Sequence, residues 1–253
     1  MKPLILISND DGYQAKGIQF LADTLRPLAQ IIVVAPTEGR SGMGCACTFR
    51  EPVYRALVHS EEGLDVYCCS GTPVDCIKLA LAHICPRRPD LIVGGINHGD
   101  NSAINAHYSG TMGVVLEGCM KGIPSVAFSI CSHDFDPDFS PMAPFILKIT
   151  EYVLKNGLPK GACLNVNCPA LPPYKGMKIC QMANGIWQNE FEQRSHPRGG
   201  DYFWLTGTFD LVQGQDDTAD RKALDEGFVA VTPVRIDMTD YSLKALLEQE
   251  LIG

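Results

Sequence analysis

Residues 4–12 read LILISNDDG, an apolar run that breaks into an amide, two adjacent carboxylates and a glycine. Leu4, Ile5, Leu6 and Ile7 have the composition of a short strand buried on both faces. After Gly12 the apolar positions fall at Ile18, Leu21, Leu25 and Leu28, the spacing of one helix face. This strand, turn and helix place Asp10 and Asp11 at the carboxyl end of a first strand, the edge where open α/β sheets bind ligands. One aspartate there reads as a turn former or helix cap. Two in succession repel each other and call for a compensating cation, so the pair is a candidate site for a hard divalent metal.

Working outward, the alternation of strand and helix continues. A helix is expected at 17–28, a buried strand at 30–35, two β-like runs near 49–58 and 64–69, and a helix over 74–84 capped by Thr72 and Pro73. A strand at 91–93, a helix at 109–121 and a strand at 124–129 follow. The implied architecture is α/β: a Rossmann-like, mostly parallel sheet wrapped by helices, with the loops after 9, 36 and 97 opening on one edge. Residues 1–130 read as the metal- and phosphate-binding core, and 131–253 as a part completing the fold. That second part has a helix at 142–155, strands at 163–167 and 228–234, and a terminal helix at 242–251. Between them, 184–215 reads as a protruding β-hairpin arm carrying Trp187, Phe191, Tyr202, Phe203 and Trp204. Arm and terminal helix are expected to serve oligomerisation, the arm because its aromatics need cover and a partner subunit can supply it.

At 253 residues and 45% apolar composition the chain can bury a large core. A net charge of −8 leaves no basic stripe for a nucleic-acid duplex or an anionic membrane surface, while small phosphorylated molecules remain admissible. The first strand begins directly after Lys2 and Pro3, with no leader pattern, so a cytoplasmic location is expected. Eleven cysteines without a CxxC pair, mostly inside apolar runs, read as reduced core residues that take no part in catalysis. Only Cys45 and Cys47 fall near a candidate loop. The six histidines include no HxxxH pair, so a histidine metal site is not expected.

Three loops then combine. The first carries Asn9, Asp10 and Asp11; the second, Glu38-Gly39-Arg40-Ser41-Gly42, offers a hydroxyl flanked by glycines; the third offers Asn97, followed by His98, Gly99, Asp100 and Asn101. Two carboxylates, a hydroxyl and an amide carbonyl suit Mg²⁺, Mn²⁺ or Ca²⁺ better than zinc. Ser109-Gly110-Thr111 opens a helix, where backbone N–H groups attract phosphate and Ser109 can equally serve as a cap.

Taken together, SNDDG at 8–12, VVAPTEGRSG at 33–42, SGTPVDC at 70–76, GGINHGDN at 94–101 and YSGT at 108–111 resemble the SurE family of stationary-phase survival proteins. PRGGDYFWLTG at 197–207 and DEGFVAVTPVRIDMT at 225–239 extend the resemblance almost to the end of the chain. It implies a metal-dependent phosphatase acting on nucleoside 5′- and 3′-monophosphates, with a C-terminal arm exchanged in a homodimer or homotetramer. It implies one divalent ion, Mg²⁺ or Mn²⁺, held by Asp10, Asp11, Ser41 and Asn97, with Asp10 and Asp11 catalytic. Asn9, Asn101, Ser109, Gly110 and Thr111 match the phosphate-side positions. The chain departs from the family pattern where SGMGCACT puts Gly44 and Ala46 in place of hydroxyls, where no acid precedes Tyr108, and at His196, where Asp is common. No acid follows the pair at DxD spacing, which favours attack by a metal-activated water over a covalent aspartyl route. A receiver-like protein or an oligomeric scaffold with an acidic metal site is the alternative. The corresponding strands, however, end in Asn97 and Ser129, without a phosphoacceptor Asp and a Lys. A dinucleotide site is disfavoured because the first turn lacks GxGxxG and the second strand ends in Ala35-Pro36.

Overall fold

A computed structural model describes residues 2–252 apart from 133, 135 and 213–216. In chain order the elements are β1 (Leu4–Ser8), α1 (Lys16–Leu25), β2 (Gln30–Pro36), β3 (Arg55–Glu61), β4 (Leu64–Cys69), α2 (Pro73–His83), β5 (Leu91–His98), α3 (Gly110–Met120), β6 (Ser125–Ile130) and α4 (Ala143–Asn156). There follow β7 (Ala162–Cys168), β8 (Met177–Ile179), β9 (Gly185–Gln188), β10 (Phe191–Ser195), β11 (Asp201–Leu205), β12 (Thr208–Leu211), α5 (Asp220–Asp225), β13 (Val229–Arg235) and α6 (Tyr241–Leu247).

The central sheet has the order β3-β4-β2-β1-β5-β6-β7-β13-β8. Every pairing from β4 to β7 is parallel; β3 and β13 run antiparallel to β4 and β7, and β8 pairs parallel to β13. The α/β reading therefore holds. The uniform apolar character of β1 has a simple cause. Ile5 and Ile7 join Ile31, Val33, Leu91 and Val93 in a cluster with α1 and α4. Leu4 and Leu6, one residue out of phase, join Ile32, Val34 and Ile92 in a second cluster with α2 and α3. Each strand face is thus apolar because each is roofed by helices.

From β1 the chain moves outward through β2 to β4 and β3, then returns to place β5 on the other side of β1. The loops leaving β1 and β5 therefore flank a topological switch point, where an open parallel sheet leaves a crevice beyond its strand ends. The sheet is also locally irregular there. Gly94 pairs with Ala127, but Asn97 pairs with Ser129, so β5 carries one extra residue. Gly95 makes that bulge feasible: at φ +118°, a Cβ on it would lie 2.2 Å from the Phe128 carbonyl oxygen.

Some expected boundaries move. The run near 49–58 forms a strand only from Arg55, since Pro52 lacks an N–H and Thr48 is tied instead to Asp75. The terminal helix is α-helical through Leu247 and then widens into a π-type turn, Glu248–Ile252. The segment at 184–215 is a long two-part ribbon, β9 paired with β12 at its root and β10 with β11 at its tip. Its end, residues 213–215, lies outside the described residues. No described helix is long and apolar enough to cross a membrane.

Candidate active site

The crevice at the switch point is a cleft of about 720 Å³ whose lining includes Asp10, Ser41, Asn97, Asn101 and Ser109. Three separate loops and the start of α3 thus meet where the strand order predicts. Ser41 is brought to the cleft by a bond between loops, the Arg40 N–H donating to the Asp10 carbonyl at 2.6 Å. Asn97 spends its Nδ2 on the Gly99 carbonyl at 2.9 Å, which leaves its carbonyl oxygen as the atom available to a ligand.

Asp10 is 3% exposed. Burial pushes its pKa up, against the opposing pull of the Thr111 hydroxyl and the Gly110 and Thr111 backbone. Thr111 Oγ1 donates to Asp10 Oδ1 at 2.6 Å. Gly110 lets this contact form, because a Cβ there would sit 2.7 Å from Asp10 Cβ. Asp11 is raised to about 6 by burial and by the charge of Asp10, with the His98 N–H donating to its Oδ2 at 3.1 Å as a partial offset. Among the described residues no Lys, Arg or His forms an ion pair with either carboxylate. Two such carboxylates, adjacent and without a cationic partner, fit a hard cation. No group of three or more His, Cys, Asp and Glu is arranged to hold a metal among the described residues. An ion here would therefore rest on a mixed set, Asp10, Asp11, Ser41 and Asn97, whose chemistry matches an oxygen-loving divalent metal.

The remaining expected residues are placed as follows. Asn9 is fully buried and closes the first loop, its amide bonded both ways to Gly12 at 3.0 and 3.1 Å. Thr111 is likewise fully buried and meets Asp10 rather than the open cleft. Ser109 does two things: it lines the cleft, and its Oγ accepts the Met112 N–H at 3.0 Å to cap α3. Asn101 is held on both sides, its N–H bound to Asn167 Oδ1 at 3.0 Å and its carbonyl to Asn165 Nδ2 at 2.8 Å. Its own Nδ2 reaches Ser129 Oγ at 2.9 Å.

Several lining residues were not expected at the site from sequence: Asn105, Tyr108, Cys131, Trp187, Glu190, Phe209 and Arg221. Arg221 pairs with Asp100, whose other oxygen accepts the Ser102 N–H at 2.7 Å. Cys131 corrects the expectation that only Cys45 and Cys47 fall near the site. It lines the cleft, with Sγ 3.7 Å from Asp100 Oδ1, and burial holds its thiol well above the ordinary range. The signal that could have found Asn165 and Asn167 is their alternation inside an otherwise apolar strand, LNVNC, which puts two amides on one buried face.

Comparison with known proteins gives the family and supports the fold. The model of the family described as "Survival protein SurE" matches residues 5–189. The chain belongs to the SurE family. A relative named 5′-nucleotidase SurE from Phocaeicola vulgatus is 56% identical over 242 residues, covering 96% of this chain and 94% of its own. One of the same name from Bacteroides thetaiotaomicron is 56% identical over 240 residues, covering 95% and 93%. The crystal structure of the SurE protein from Aquifex aeolicus superposes with a TM-score of 0.83 at 32% identity, covering 98% of this chain and 99% of that one.

Proposed function

We propose that the protein is a metal-dependent nucleotidase releasing phosphate from nucleoside 5′- and 3′-monophosphates. The observation that carries this reading is the meeting of Asp10, Ser41, Asn97 and Ser109 in one cleft at the switch point between β1 and β5. The names of the SurE relatives support the nucleotidase class. Asp10, Asp11, Ser41 and Asn97 would hold one Mg²⁺ or Mn²⁺. Such an ion, when bound, neutralises phosphoryl charge and acidifies a water for in-line attack.

The protein's own part is positioning. Thr111 and the first N–H groups of α3 orient Asp10, and the Asn165–Asn167 pair fixes Asn101 beside the substrate phosphate. Ser109, Gly110 and Thr111 open α3, whose dipole favours an anion although the Gly110 and Thr111 N–H groups themselves turn to Asp10. One carboxylate of the Asp10–Asp11 pair would accept the proton of the attacking water. Borohydride reduction of a rapidly quenched single turnover would trap a covalent aspartyl phosphate as homoserine at position 10 or 11. The water route leaves none.

The location proposed is the cytoplasm and the assembly a homodimer or homotetramer joined through the arm. The test is phosphate release from 5′- and 3′-monophosphates of adenosine, guanosine, cytidine and uridine, with and without EDTA. Release that EDTA abolishes and added Mn²⁺ or Mg²⁺ restores supports the proposal; no release from any of them refutes it.

A further inference from the structure

The cleft has two unlike halves. Its strand-end wall is polar, with Asp10, Ser41 and Asn97, and this is all that a metal and a phosphate require. The ribbon contributes a second set of lining residues, Trp187, Glu190, Leu205, Thr206, Gly207 and Phe209, with two aromatics among them. Trp187 on β9 and Phe209 on β12 are direct cross-strand partners, with ring centroids 5.6 Å apart and planes at 58°. Trp187 is only partly buried, and its indole N–H donates to Asn105 Oδ1 at 2.9 Å. That bond is unusual in what it joins. Asn105 sits in the short 3₁₀ turn Ala103–His107 that leads straight from the third loop to Ser109, so the indole is fixed to the phosphate side of the site. Phe209 packs against the indole, and the polar tip of Trp187 is already satisfied.

We propose that Trp187, backed by Phe209 and locked by Asn105, is the stacking wall for the heteroaromatic base of the substrate. This rests on the nucleotidase reading and adds to it the residue that separates nucleotides from other phosphomonoesters. A lining ring held by a hydrogen bond at one edge and by an aromatic neighbour can take a stacked base without much further loss of rotamer freedom. Stacking is tolerant of base identity, because every base has a π-face, but a purine covers more of an indole than a pyrimidine does. The inference also gives the arm root a role inside its own subunit, separate from anything the arm tip contacts.

The test compares Trp187→Ala, Trp187→Phe and the unsubstituted protein on AMP, CMP and ribose 5-phosphate, the last a phosphomonoester with the sugar and no base. Trp187→Ala should raise KM for AMP by about tenfold or more and for CMP by less, with kcat little changed. Ribose 5-phosphate turnover should be unaltered, which also shows that the variant is folded. Trp187→Phe keeps a ring and should lie close to the unsubstituted protein. An equal loss on AMP and ribose 5-phosphate would mark Trp187 as a structural support and overturn the proposal, as would no change on any substrate. A binding readout separates this inference from its premise. In a Trp204→Phe background, indole fluorescence should be quenched by AMP and not by ribose 5-phosphate. Quenching in a protein that releases no phosphate would refute the nucleotidase reading and leave the stacking wall standing; release of phosphate without quenching would do the reverse.

Discussion

Thr111 Oγ1 donates a 2.6 Å hydrogen bond to Asp10 Oδ1, joining the second residue of α3 to the loop after β1 across 101 positions of chain. The bond holds the Asp10 carboxylate in one orientation, and it opposes the rise in pKa that burial causes. Thr111→Val keeps the shape and removes the donor. A hydrogen bond to a charged group contributes about 1.5–3 kcal/mol, so phosphate release should fall roughly 10- to 100-fold, while Thr111→Ser retains most of it. Equal rates for the Val and Ser variants, measured on AMP, would show that the hydroxyl is dispensable.

Asp75 offers a pH-dependent stability test away from the cleft. Burial alone would raise its pKa, but Thr48 and Thr72 together outweigh burial and the net shift is downward. Thr72 and Asp75 form a reciprocal capping box at the start of α2, and Asp75 Oδ2 also accepts the Thr48 hydroxyl at 2.6 Å. A carboxylate with a depressed folded pKa contributes stability that is present above its unfolded value and is lost as pH falls through the folded one. Asp75→Ala should therefore lower unfolding free energy by about 1–2 kcal/mol at neutral pH. The gap should narrow below about pH 4. Urea unfolding of both proteins at pH 7 and at acid pH checks this, and a gap independent of pH would contradict it.

How much of this was legible in the sequence follows from what each signal measures. The β1 run and the two aspartates were readable because a strand roofed on both faces must be apolar, and a charge pair at its end breaks that rule visibly. Thr72-Pro73-Val74-Asp75 announced a helix start in four residues. The alternation of Asn165 and Asn167 is visible in the sequence, but their partner Asn101, more than 60 positions away in the third loop, is not. β8 and α5 are too short to show periodicity. Trp187 falls in the 184–215 segment, but pattern alone cannot tell the root of a ribbon, which packs on the core, from its tip.

The cysteines should prove dispensable. All eleven are free thiols, and those nearest the second loop, Cys45 and Cys47, have pKa values raised first by burial, so neither is an activated nucleophile. Iodoacetamide treatment followed by an AMP hydrolysis assay should leave turnover largely intact. Cys131 is the informative exception, because an adduct there would occupy the cleft. Any inactivation should disappear in a Cys131→Ser protein. Inactivation that persists in that protein and in a Cys45→Ser, Cys47→Ser double variant would point to a thiol with a catalytic part.

The arm tip and terminal helix leave apolar surface uncovered. Phe191, Phe203 and Trp204 are 67%, 58% and 63% exposed, and α6 buries none of its residues. Surface of this kind is covered by association. Light scattering at micromolar concentration should give a dimer or tetramer mass. Replacing residues 191–205 by a short Gly-Ser bridge between Glu190 and Thr206, already joined by a 2.7 Å backbone bond, should lower that mass without unfolding the core. A monomeric intact chain would mean that the arm does not serve assembly.

The central claim is that Asp10 and Asp11 act by holding a divalent ion against a nucleotide phosphate. It is tested most directly by stripping the unsubstituted, Asp10→Asn and Asp11→Asn proteins of metal, then titrating Mn²⁺ while following phosphate release from AMP. The unsubstituted protein should be inactive when stripped and recover fully with added metal. Both variants should remain slower by orders of magnitude at every metal concentration, since each has lost a charged oxygen ligand. Undiminished release by metal-free Asp11→Asn protein would contradict the account.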